Sequence, residues 1–95
     1  MVNAQEQIEK FQEFLELNYQ KEIHSLVKQG ASSLLVDFNN LSMFDPILAE
    51  EVLNEPEETI RAIEIALSQF DIPNKHIKVR FFNIPDSQRV LIKNI

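Results

Sequence analysis

Two histidines, 15 carboxylates and no cysteine are what this 95-residue chain offers for chemistry. His24 and His76 lie far apart, neither has a second His at helix-ligand spacing, and no thiolate completes a zinc set. The single glycine, Gly30, excludes a glycine-rich phosphate loop, which needs several positions without a Cβ. No Ser sits on a glycine elbow that would expose a nucleophile. Asp37-Phe38-Asn39-Asn40-Leu41 opens like a calcium loop, but that template demands Gly at its sixth place and Glu at its twelfth, where Ser42 and Leu48 stand. The pair Glu57-Glu58 follows Pro56 and suits the first turn of a helix, where acids meet the positive end of the dipole. Glu50-Glu51 is expected to face water. The reading is a chain without enzyme activity: no catalytic residue, no cofactor-binding residue and no metal ligand.

Charge and aromatic spacing point elsewhere. Residues 1–71 hold four basic residues against 14 acidic ones, a balance of −10. Residues 72–95 hold five basic residues against Asp86 alone, a balance of +4. Within that second segment Ile77, Val79 and Phe81 alternate with Lys78, Arg80 and Phe82, the period of a strand with one buried face. Phe82 is then an aromatic beside two bases on the outer face, a combination that can stack bases and touch phosphates. Lys75, Lys78, Arg80, Phe82, Arg89 and Lys93 are the candidate contacts to single-stranded DNA. The acidic body opposes nucleic acid at long range, so any such binding is expected to be weak.

The elements that position this strand are well punctuated. Residues 4–18 predict a helix buried through Ile8, Phe11, Phe14 and Leu15, and Gln20 to Gln29 a second one, ended by a left-handed Gly30. On the first, Glu6 and Glu13 flank Lys10 at helical spacing. Ser33 to Phe38 predicts a strand whose second face is also partly covered, because Leu35 interrupts the alternation; Asn39-Asn40 is read as the turn that ends it. Asp45-Pro46 is an N-cap followed by proline at the first helical position, for a helix burying Ile47, Leu48 and Val52. Pro56 opens the next, buried through Ile60, Ile63, Ala66, Leu67 and Phe70. His76 to Phe82 is the second strand, and Arg89 to Ile92 a candidate third. The fold class is α+β, predominantly α: a four-helix bundle with a small two- to three-stranded sheet. The longest apolar runs are three residues, so no stretch spans a membrane and no membrane partner is expected.

Several short stretches, taken in order, resemble one family. They are Phe11-Gln12-Glu13-Phe14-Leu15, then Ser33-Leu34-Leu35-Val36-Asp37-Phe38-Asn39-Asn40-Leu41. Phe44-Asp45-Pro46-Ile47-Leu48-Ala49-Glu50 is the densest. Pro56-Glu57-Glu58, Ile60, Ala62 and Ala66 follow, and Val79-Arg80-Phe81-Phe82-Asn83-Ile84-Pro85 closes the set. The chain resembles the N-terminal A subdomain of MCM replicative DNA helicases, of the single-gene archaeal type. It departs at Asn40, where the family often carries Asp.

The resemblance implies a role in DNA replication on an archaeal chromosome in the cytoplasm, within a hexamer. It implies a regulatory and structural subdomain that docks on the neighbouring oligonucleotide-binding barrel. Residues 1–88 would be that subdomain and residues 89–95 the linker to a barrel that is missing here, with Ile84, Pro85, Val90 and Ile92 as candidate docking residues. Zinc and ATP/Mg would belong to other parts of such a protein, and ATP-dependent unwinding to the full-length helicase. The partners implied are the remaining MCM domains and neighbouring hexamer subunits, with weak single-stranded DNA binding as an auxiliary role or a free-standing protein-interaction domain as the alternatives. The isolated chain is expected to be monomeric.

Overall fold

The computed structural model describes residues 3–70 and 77–85. Their order is α1 (Ala4–Asn18), α2 (Gln20–Gln29), β1 (Ser33–Asp37), α3 (Phe38–Phe44), α4 (Pro46–Asn54), α5 (Pro56–Ser68) and β2 (Lys78–Phe82). The fold is α+β and mainly helical, with one two-stranded sheet among the described residues. The candidate strand Arg89 to Ile92 lies outside them, as does His76 at the expected start of β2.

Each boundary has a chemical cause. Asn3 caps α1 by accepting from the Glu6 N–H at 2.8 Å, while the Glu6 carboxylate accepts from the Asn3 amide at 3.2 Å, so cap and third residue serve each other. Gly30 ends α2 at φ 63°, the left-handed conformation that a Cβ disfavours. Asp45 ends α3 and caps α4, its carboxylate accepting from the N–H groups of Ile47 and Leu48. Pro46 and Pro56 stand in the first turns of α4 and α5, where no N–H partner is lost.

Helix α3 replaces the expected turn at Asn39-Asn40. Asp37 accepts from the Asn39 N–H at 2.9 Å and so caps a helix instead of closing a turn. Phe38 and Leu41, three residues apart, then fall on its buried side. Phe38 therefore starts a helix and does not end the strand.

The core is continuous. Phe11, Phe14 and Leu15 of α1 meet Ile60, Ile63, Ala66 and Leu67 of α5, with Leu48 and Val52 of α4 beside them. Phe44 is half-buried with its ring 5.4 Å from that of Phe14. Phe70 also packs on the core partly buried. One expectation fails at the margin of this core. Ile47 is exposed, because it lies about 100° round α4 from Leu48, off the stripe that buries Leu48, Ala49 and Val52. Lys10 pairs with Asp45 at 3.6 Å across α1 and α4, so its described ion pair reaches a cap of another helix and not the acids of its own.

Candidate interaction face on the two-stranded sheet

Strands β1 and β2 pair in parallel, with Ser33 opposite Lys78, Leu34 opposite Val79, Leu35 opposite Arg80, Val36 opposite Phe81 and Asp37 opposite Phe82. Side chains alternate across a strand, so this register divides the sheet into two faces. Leu34, Val36 and Val79 are buried on the inner one, and half-buried Phe81 meets the Phe38 ring edge-on at 6.1 Å. The outer face carries Leu35, Lys78, Arg80 and Phe82, all exposed, with Ser33 and Asp37 half-buried.

The sequence predicts partial cover for Leu35 on this side. It is 59% exposed, because the helices pack on the inner face and at the edges and no described element crosses the outer one. Phe82 is 46% exposed on the same side. Two large apolar side chains thus stand among two cations on an uncovered sheet.

The strand edges are partly closed. Tyr19, at the junction of α1 and α2, is buried, and its hydroxyl oxygen accepts from the Asp37 N–H at 2.7 Å and from the Asn40 side-chain amide at 3.1 Å. On the other edge the Glu64 carboxylate of α5 accepts from the Val79 N–H at 2.9 Å. A backbone donor so occupied does not recruit a further strand at that point. The distal end is fixed by Asp37, whose Oδ1 also accepts from the Asn83 side-chain amide at 3.2 Å. Asn83 turns the chain at φ 63°, after which Ile84 is buried in the core and Pro85 is exposed.

Of the candidate DNA contacts, the structure brings Lys78, Arg80 and Phe82 together on one face, while Lys75, Arg89 and Lys93 lie outside the described residues. Of the candidate docking residues, Ile84 serves the domain's own core, Pro85 is exposed, and Val90 and Ile92 lie outside the described residues. Leu35 was missed as a surface residue. The signal for it was the strict alternation of buried Leu34 and Val36, which assigns Leu35 to the opposite face whatever its hydrophobicity.

Neither zinc nor nucleotide fits these residues. Cysteine is absent from the sequence, glycine occurs once, and among the described residues no group of three or more His, Cys, Asp or Glu is placed to hold a metal ion. His24 is exposed on α2. No described helix is long and apolar enough to cross a membrane.

Against known families, the model of the MCM N-terminal domain matches residues 8–83, which takes in all seven elements except the first turn of α1. No curated protein matches the sequence.

Proposed function

The chain belongs to the MCM N-terminal domain family, and on that premise we propose that it acts by contact alone, as a regulatory and structural subdomain docking on the neighbouring barrel of an MCM hexamer. The family places the chain in DNA replication, as a non-catalytic N-terminal domain of a helicase that associates with other MCM domains and subunits. The finer reading is an archaeal-type A subdomain over residues 1–88 in the cytoplasm of its cell, with residues 89–95 leading toward the barrel.

One observation carries the docking reading. Ile84 is buried two residues after β2 ends, and Ile77 is buried immediately before it begins. Both ends of the strand are therefore anchored in the core, so a force applied at exposed Pro85 acts on β2 and α5 as a body. That suits a subdomain whose position against a neighbour matters. The test is a titration of the 15N-labelled chain with an MCM fragment that holds the barrel and lacks this subdomain. Amide shifts are expected around Asn83–Pro85; a spectrum that does not change would contradict docking.

A second reading is single-strand binding, favoured by the shared outer face of Lys78, Arg80 and Phe82. It is the weaker one, because Asp37 stands opposite Phe82 and the body is acidic. Binding of this kind loses affinity with salt, with a log–log slope of about 0.7 per phosphate neutralised. No binding to oligothymidylate at low salt would remove it.

A further inference from the structure

Parallel strands are ordinarily covered on both faces, and here the helices cover one. Four exposed side chains decide what fits the other. Arg80 stands beside Leu35 in the register, and Phe82 follows Arg80 on the same face, so the arginine has one apolar neighbour across the sheet and another along the strand. Lys78 continues the row at the other end. The side chains of Lys78 and Arg80 have no ion-pair or hydrogen-bond partner among the described residues. Asp37 is the one carboxylate in the two strands, and it is already engaged. It is half-buried, and its Oδ1 accepts from the Asn39 N–H and from the Asn83 amide. The charge left for a partner is that of two cations.

We propose that the outer face takes an acidic amphipathic helix of another protein, its apolar side on Leu35 and Phe82 and its carboxylates on Lys78 and Arg80. A helix suits the site better than a strand, because strand addition works at sheet edges, and Tyr19 and Glu64 partly close these. The row from Lys78 to Phe82 is about 13 Å long, which two to three helical turns of about 5.4 Å cover. Apolar residues at i and i+4 of such a helix meet Leu35 and Phe82, the way helices anchor in apolar grooves.

Charge also separates a peptide from a nucleic acid here. Single-stranded DNA brings a charge with every nucleotide and carries it past the face onto a body whose residues 1–71 sum to −10. Its bases stack on Phe82 and leave Leu35 without an apolar partner. A peptide confines its acids to the positions that meet Lys78 and Arg80. The acidic body repels such a helix elsewhere, so the charge that weakens binding also restricts it to this face. Four side chains make a contact below the roughly 1,200 Å² of stable interfaces, and the binding is weak and transient. The proposal does not rest on docking at Pro85, and its test contains no barrel.

The probe is a synthetic alanine-based peptide of about 15 residues, long enough to hold a helix. It carries Leu at i and i+4 and Glu at i−3 and i+7, one stripe of the helix. Titrated into the 15N-labelled full chain at low salt, it should shift the amides of Leu35, Lys78, Arg80 and Phe82, and the shifts should shrink when salt shortens the Debye length. The same peptide with Lys for Glu should bind about tenfold more weakly. Lys78→Glu/Arg80→Glu should reverse that preference. Both positions are exposed, and an unchanged thermal melt would show that the double variant folds. Absent shifts, shifts confined to other surfaces, equal binding of the two peptides, or a preference for Glu that the double variant keeps would each overturn the proposal. So would another occupant of the face. Concentration-dependent shifts without peptide would assign it to a second copy. Nuclear Overhauser contacts from Leu35 or Phe82 to Val90 or Ile92 in dilute chain would assign it to the chain's own end. Oligothymidylate that binds more tightly than the Glu peptide would assign it to nucleic acid.

Discussion

The two faces of one sheet divide the work of this molecule. On the inner face Leu34, Val36 and Val79 are buried and Phe81 packs partly buried on the core, and these are what the fold takes from β1 and β2. On the outer face Leu35 and Phe82 are as apolar as their neighbours and stay exposed among Lys78 and Arg80. The two sides alternate along the same two strands in one register, so strand propensity does not separate them. Packing does: the helices close one side and leave the other. Under the contact role proposed above, the apolar area left open beside the cations is where another macromolecule would sit.

Adjacent leucines allow the comparison to be broken most sharply. Leu34→Ala removes a buried side chain and should cost about 2–5 kcal/mol. For a domain of this size that lowers the melting temperature by about 4–8 °C per kcal/mol, read by circular dichroism. A change of a degree or two would place Leu34 outside the core and undo the division of faces.

Tyr19→Phe ranks next. The ring would remain in place, but the Asp37 N–H and the Asn40 amide would lose their acceptor at the edge of β1. Leaving such a donor unpaired costs about 1–3 kcal/mol, measurable by urea denaturation. A neutral result would mean that water replaces the hydroxyl and that the edge is open. Gly30→Ala should cost about 1–2 kcal/mol. Nothing lies within 4 Å of the added methyl, so the left-handed backbone alone sets the penalty. Leu35→Ala should be smallest, within about 0.5 kcal/mol, as for exposed substitutions in general. A cost near that of Leu34→Ala would show that the outer face is needed for folding.

Much of this arrangement is legible in the residues, and the limits are physical. Helix ends were readable where one residue decides them: Gly30 by its φ, Asp45-Pro46 by cap and ring, Pro56 by its missing N–H. Both strands and two of the three helices between them, α4 and α5, carry a clear period in the sequence, whereas the parallel register comes from the structure. Helix α3 was hidden because Asp37 and Asn39-Asn40 serve a turn and a helix start equally well. The deciding feature is the burial of Phe38 and Leu41, which is tertiary. Ile47 is misplaced because a hydrophobic side chain does not reveal how far a neighbour arrives to cover it, and for the same reason Leu35, expected to be partly covered, stays more than half exposed. The interaction face was half readable: alternation isolated Lys78, Arg80 and Phe82, whereas Leu35 joins them only through the register.

The central claim is that the outer sheet face exists for contact and not for folding. It is tested most directly by the double variant Leu35→Thr/Phe82→Thr, whose new residues suit a strand and remove the apolar surface. Urea denaturation is run on the variant beside wild type. The account predicts a midpoint close to wild type. A variant that unfolds several kcal/mol more readily would contradict it.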